Sequence, residues 1–479
     1  MTRFPKIIAL LAFGVAAGCR DSYPEVVPPL DVLYFPVGLA VRQVGPTPAA
    51  PYGSSQLVVL NSNFDLRYDE GDGGSVLVVD PDASQDSSLG GQLTVLGSAR
   101  VASFGGELGM VDLACQPGWP DCPSACPTLA TDPAIAAGGA KLVFGSRSNQ
   151  LIYRMQMDAS GALECGASCP WSVPIQQVSA YGVSTVCSAR AGPPVAYAYV
   201  SHLAAANNLG FLSRVNLLRD DDVVALVLGA ESTYTSIFNP QDDRLFVSSA
   251  ISIDPDFRWF NPFATPTEVE GFLVPDYAGT KFSSFLPGAV ARGMALSSDG
   301  LRLYVSVTLY DLTLVVQTGS FFTQGGALAV FDLSPTPLGE PSMSLRSLTR
   351  TCLGAGQIRR LPSRVGKADL IAVTCDVEGG LALYDSEAHA VVRYIGQDPT
   401  TGQPVLGGFP FGLAVEPIPS ARATVPVQGA GYEPSPCLPG GDCQRIYVAS
   451  FVDNWINVLE LDPDRPTQVA LVKRIGRGP

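Results

Sequence analysis

One short pattern returns seven times along the chain and restricts its fold more than any other feature. It is a mostly polar lead residue, a run of apolar residues, then Ser, Thr or Asn: Gln56–Asn61, Lys141–Ser146, Ala196–Ser201, Arg244–Ser249, Arg302–Val307, Asp369–Thr374 and Arg445–Ser450. Most copies lead through a polar or Gly-bearing turn into a second apolar run, and several of these close on Asp: Ser75–Asp80, Ala327–Asp332, Gly380–Asp385 and Ile456–Asp462. A third run precedes several copies, best seen in Phe35–Val41 and its near-copy Phe409–Val415, with Gly293–Leu296 leading into the turn Ser297-Ser298-Asp299-Gly300. Three such runs and a less regular fourth make a four-stranded antiparallel sheet.

A single sheet of this kind leaves both faces in water, whereas seven packed radially cover one another and leave only short edges. The expected fold class is therefore all-β, a seven-bladed β-propeller forming one domain over residues 31–479. With 46% hydrophobic and 15% charged residues the chain is a core-former, and 49 Gly and 40 Pro supply many turns. Two β-sandwich domains would need a linker, and no Ser/Gly-rich or charged stretch divides the chain. The copies are 48 to 85 residues apart, more than the ~40 to 45 of a compact blade, so insertions are required. Residues 113–136, 254–290 and 416–444 are rich in turn-forming sequence and are expected to be loops projecting from blade edges. Asp31–Phe35 is expected to help close the ring beside the last blade.

The chain opens with Arg3 and Lys6, then the apolar run Ile7–Val15, then small residues, which is the pattern of a secretory signal peptide over residues 1–18. That run is far below the ~20 apolar residues of a membrane-spanning helix. Ala16-Ala17-Gly18-Cys19 resembles the bacterial lipobox, with Ala16 where Leu is usual. The resemblance implies that Cys19 carries diacylglycerol and becomes the new N-terminus, with residues 19–30 as a tether. Arg20, rather than Asp, follows Cys19; the enteric sorting rule then implies a cell-envelope protein of the outer membrane.

Setting Cys19 aside leaves ten of the 11 cysteines, an even number in short-range groups: Cys115, Cys122 and Cys126; Cys165, Cys169 and Cys187; Cys352 and Cys375; Cys437 and Cys443. An exported chain in an oxidising compartment is expected to pair them. Proximity favours Cys437 with Cys443 and Cys352 with Cys375. A zinc site at Cys122-x3-Cys126 or Cys165-x3-Cys169 is the alternative, but the neighbours are Pro, Gly and Trp, and neither histidine is near in sequence.

The full chain has net charge −14, and losing Arg3 and Lys6 with the signal peptide takes the mature chain to −16. Nucleic acid is excluded as a partner by repulsion, and anionic headgroups are disfavoured, which leaves the acyl chains to hold the membrane.

Ser297-Ser298-Asp299-Gly300-Leu301-Arg302-Leu303-Tyr304-Val305-Ser306 resembles the SPDG-x-x-LYV core of YVTN-type seven-bladed propellers of bacterial envelopes, and Arg445–Ser450 echoes it. The resemblance implies the architecture; the broad family contains lactonases, electron-transfer and quinone-dependent enzymes, and binding proteins. Lactonase-type members hold a divalent cation in the central channel. No cofactor is expected here, the one candidate being Ca²⁺ at Asn61, Asn63, Asp65, Asp69 and Asp72, where alternate oxygens and glycines suit it but the EF-hand frame is missing. An Asx-rich turn accounts for the same residues. His202 and His389 are the chain's two histidines, read as a structural and a turn residue. No Gly-x-Ser-x-Gly elbow, Walker loop or haem-attachment motif is present. The favoured function is a non-catalytic binding or scaffolding lipoprotein whose partner is an envelope protein, a glycan or a small ligand. A metal-dependent hydrolase of the lactonase type, with its site at the channel, is the rival reading.

Overall fold

The computed structural model describes residues 27–48, 50–68, 72–112, 139–164, 171–175, 179–188, 195–204, 209–219, 222–229, 231–249, 255–310, 323–334, 342–362 and 368–477. They form seven antiparallel sheets, each built from strands consecutive in sequence apart from one inserted hairpin, spanning 36–101, 105–174, 180–227, 233–281, 289–350, 355–395 and 410–475. The first strands of the seven are Pro36–Val44, Gly105–Asp112, Ala180–Ser188, Thr233–Asn239, Ala289–Leu296, Ala355–Arg360 and Pro410–Pro419. Each touches the first strand of the next blade, and the last touches the first. The chain is thus a closed seven-bladed β-propeller, with those strands lining a central channel.

All seven copies of the repeat fall on second strands, for example Ser54–Asn61, Arg244–Ser249 and Leu370–Cys375. Their unbroken apolar character follows from the geometry. Successive side chains on a strand point to opposite faces, and here both faces are dry. Leu57 and Val59 join the core between the last and first blades, while Val58 and Leu60 join the core between the first and second. The same division holds at the other end, where Tyr447 and Ala449 face one seam and Ile446 and Val448 the other. Fourth strands lie at the rim and carry exposed residues, as in Ala390–Ile395.

The Ser that ends several copies has a defined role. Ser201 Oγ accepts from the Gly182 amide at 2.9 Å and donates to the carbonyl of Tyr234 in the next blade. Ser306 Oγ likewise donates to the Gly356 carbonyl of the next blade. These hydroxyls fasten neighbouring blades where all seven first strands carry a register shift near their start, at Pro36/Gly38, Gly105/Leu108, Ala180/Val183, Thr233/Thr235, Ala291/Gly293, Ala355/Ile358 and Pro410/Leu413. Backbones approach closely there. A Cβ on Gly182 would lie 2.4 Å from the Tyr234 carbonyl, and one on Gly106 2.4 Å from that of Tyr181, so glycine is required by contact rather than by torsion.

Among the described residues the ring closes without sharing a strand between the chain ends. Leu33 packs into the seam between the last and first blades, and the Phe35 amide donates to Asn454 Oδ1 at 2.7 Å, so Asp31–Phe35 does lie beside the last blade. On the same seam Arg445, 1% exposed, binds Glu460 Oε1 at 2.9 Å and Asp82 Oδ1 at 2.8 Å, and Tyr447 donates to Glu416 Oε1 at 2.6 Å.

One expected loop is not a loop. Residues 254–290 supply strands Asp256–Phe260 and Tyr277–Lys281, the outer half of the fourth blade, and between them a hairpin, Thr267–Val269 with Phe272–Val274, that pairs with the edge of the third blade. Phe257 and Trp259 on the first of these strands are core, a role that the local Pro and Gly content concealed. Residues 423–441, within the expected loop 416–444, do lack strands, and Cys437–Cys443 pins that loop to the following strand. Residues 113–136 fall outside the described residues. Cys352 and Cys375 form a second disulfide, with Cα atoms 5.8 Å apart, and Cys187 is also disulfide-bonded. Among the described residues no helix is long and apolar enough to cross a membrane.

Candidate functional site

First strands begin, and second strands end, on the same face of the disc. Residues at those two places converge on the mouth of the channel and line a cavity of about 670 Å³. Phe35, Tyr181, Tyr234 and Phe411 come from the openings of first strands; Phe64, Arg147 and Phe451 come from just beyond the ends of second strands. The rings form a continuous wall: Phe35 and Phe451 have centroids 5.1 Å apart, Phe64 and Phe451 5.2 Å, Phe411 and Phe451 6.3 Å, Tyr181 and Phe411 6.4 Å, and Tyr181 and Tyr234 5.3 Å. Phe64 and Phe409 on the rim are 50% and 54% exposed. Large apolar side chains exposed around a concavity are the composition from which ligand sites are commonly built.

The deeper wall is charged. The Arg147 guanidinium stands 5.8 Å from the Phe104 ring centroid and 6.0 Å from that of Tyr181, and its Nε is buried with no hydrogen-bond partner. Arg292 lies 5.3 Å over the Tyr234 ring and 3.5 Å from Asp376. Tyr234 and Asp376 hold that guanidinium above its ordinary range, and burial raises both tyrosine hydroxyls.

Below the cavity the bore is bridged. Gln357 Nε2, on the sixth blade, donates to Glu107 Oε1, on the second, at 2.8 Å, and the Val183 amide approaches Glu107 Oε2 at 3.4 Å. Burial pushes the Glu107 carboxyl above the usual carboxylate range, with Arg359 as the main opposing charge, and burial lowers Arg359 in turn. These groups line a separate cavity of about 240 Å³ that shares no lining residue with the aromatic one. The mouth is thus a cup floored by polar side chains.

The residues singled out from sequence stand elsewhere. Asn61 Oδ1 accepts the Tyr34 amide and Asn63 Oδ1 accepts the Tyr68 amide, each at 3.2 Å, so both brace the turn. Asp65 pairs with Arg67 at 2.6 Å, Asp72 is exposed, and Asp69 lies outside the described residues. His202 is fully buried with Nε2 2.9 Å from Ser213 Oγ, and His389 sits in a turn at φ 51°. Cys19, Cys115, Cys122, Cys126, Cys165 and Cys169 are outside the described residues. The sequence reading does not reach the aromatic cup, although a signal exists: Phe35 and Phe409 open the paired runs Phe35–Val41 and Phe409–Val415, and Phe64 and Phe451 follow copies of the repeat at their channel ends.

A lactonase-type site needs several carboxylate or histidine ligands converging in the channel. Among the described residues the channel offers Glu107, bonded to Gln357, and Asp376, paired with Arg292. The one three-membered group of metal-ligating type among the described residues is Cys437, Cys443 and Glu460, whose cysteines are joined to each other. The described residues do not fit a divalent cation in the bore.

No family model and no curated protein matches the chain. Solved structures similar to it include the β-propeller domain of Myceliophteria thermophila Cps50 (Swd1), at 9% identity over 80% of this chain and 92% of that one, with a TM-score of 0.42. A putative 6-phosphogluconolactonase from Bacteroides uniformis is 12% identical over 75% of this chain and 82% of that one, with a TM-score of 0.40. The periplasmic gluconolactonase PpgL of Pseudomonas aeruginosa is 16% identical over 92% and 86%, with a TM-score of 0.34.

Proposed function

We propose that the chain is a non-catalytic binding lipoprotein of the bacterial cell envelope, anchored through Cys19 at the outer membrane, with the aromatic cup as its ligand seat. The observation that carries this reading is the blind, aromatic-walled cavity of about 670 Å³ at the channel mouth. Its volume lies in the range of small-molecule sites, which are mostly apolar with a few placed polar groups. No observation favours the hydrolase: a lactonase needs a metal or a general base beside its substrate, and the charged groups nearest the cup are arginines and their partners.

The anchor fits the same reading. Phe35 lines the cup, so the chain enters the disc on the cup face. Cys19 is eight residues before Val27, a reach of roughly 28 Å at most. A lipid on Cys19 would therefore hold the disc close to the bilayer.

Two measurements test this. Mass spectrometry of the N-terminal peptide should find a diacylated Cys19. Equilibrium binding of apolar probes should weaken at least about tenfold in Phe411→Ala and Phe451→Ala. Metal-dependent lactone hydrolysis by the purified protein, with no probe binding, overturns the reading.

A further inference from the structure

We infer that the cup is built for an amphipathic monocarboxylate, an apolar body carrying one anionic head that seats against Arg147. The inference rests on the cup being the ligand seat and goes beyond it in assigning the ligand's chemistry.

Aromatic walls by themselves fit three classes of guest: a quaternary ammonium held by ring faces, a sugar stacked on rings, and an apolar body. Charge decides against the first. The charged residues that line the cup and the cavity below it are Arg147, Arg292, Arg359 and Glu107, and Asp376 pairs with Arg292, so the lining carries a cationic excess in a chain of net charge −14. A cationic guest would be repelled at its seat. The second class needs a dense array of hydrogen-bonding side chains, and apart from the two arginines the polar lining of the cup is Ser62, Tyr181 and Tyr234.

The third class is left, and Arg147 specifies its head. Asp376 answers Arg292, and Glu107 faces Arg359. No acceptor among the described residues reaches the Arg147 guanidinium, whose Nε is buried and unpaired. A buried N–H without an acceptor is costly, and a guanidinium presents paired donors in the spacing of a carboxylate. A carboxylate meeting the part of the Arg147 guanidinium that lines the cup supplies the charge partner that no described residue offers, neutralises the local excess, and leaves the rest of the guest against Phe35, Phe411 and Phe451.

The test uses the full acylated chain in phosphatidylcholine nanodiscs, with empty discs as the blank, and three probes of equal chain length: octanoate, octanamide and octyltrimethylammonium. Calorimetry should show octanoate binding about tenfold or more tighter than octanamide, as one charge-assisted pair implies, with the ammonium weakest. Arg147→Gln should remove the preference for octanoate while leaving octanamide binding intact, and Arg147→Lys should restore part of it. Equal binding of octanoate and octanamide, or a preference that survives Arg147→Gln, overturns the carboxylate assignment and leaves the cup as a ligand seat. Binding of none of the three overturns both.

Discussion

Glu107 and Gln357 are 250 residues apart in sequence and meet across the bore of the disc at 2.8 Å. They belong to the second and sixth blades, which are not neighbours in the ring, so their hydrogen bond spans the channel instead of lining it. The bond makes the mouth a cup. It also places a buried carboxyl where ionisation is disfavoured.

That carboxyl sets a pH dependence with a definite sign. The folded-state pKa of Glu107 is raised by burial, so the native protein holds this proton more tightly than the unfolded chain. Its contribution to stability grows as pH falls from above the raised value to the ordinary carboxylate range. Glu107→Gln should remove that component, seen as the difference between the two proteins' denaturation free energies across pH. A difference that does not vary with pH contradicts the assignment.

Asp82 should behave in the opposite sense. Its pKa is lowered chiefly by Arg445 and Arg422, against a desolvation penalty. Its contribution is present above the ordinary carboxylate range and fades as pH falls through the depressed value. Asp82→Asn should therefore cost stability at neutral pH and progressively less on acidification, as read from urea midpoints.

Arg445 is the cation on which the closing seam depends. Replacing it by Met strands Glu460 in a dry site and should cost about 3 to 5 kcal/mol, read as a lowered urea midpoint at unchanged slope. Pairing Arg445→Met with Glu460→Gln should recover part of the loss, which a merely steric role for Arg445 would not allow.

Blade-to-blade fastening is tested on its small residues. Gly182→Ala forces a Cβ against the Tyr234 carbonyl and should cost about 1 to 3 kcal/mol. Ser201→Ala leaves the Gly182 amide without its side-chain acceptor and should cost about 1 to 3 kcal/mol. Gly325→Ala is the control: the nearest atom to its Cβ is 3.9 Å away, and thermal unfolding should be nearly unchanged.

Much of this architecture is readable from the residues, and the reason is periodicity. The runs at Gln56–Asn61 and Arg445–Ser450 are apolar at every central position because both sheet faces are covered, and repetition of that local cause reveals a ring. The segment 254–290 misleads because Asp, Pro and Asn break its strands into short pieces, while the pairing of Asp256–Phe260 with Tyr277–Lys281 spans an inserted hairpin that no local pattern announces. The cup was hidden for a different reason. Phe35, Phe64, Arg147, Tyr181 and Phe451 are scattered over more than 400 residues, and only the angular position of each blade brings them to one place. Asn61 and Asn63 show the converse: neighbours in sequence with apt chemistry, yet each amide oxygen is already occupied by a backbone N–H.

The way the ring closes has a genetic consequence. Because, among the described residues, the last blade takes no strand from the start of the chain and is joined to the first by side chains such as Arg445 and Leu33, each blade's own four strands come from one stretch of gene. A circular permutant that opens the polypeptide between any two blades, with the old ends spliced, keeps those strands together. The seam now guarded by Arg445 would become an ordinary covalent junction, and the new opening would inherit the task of holding itself shut.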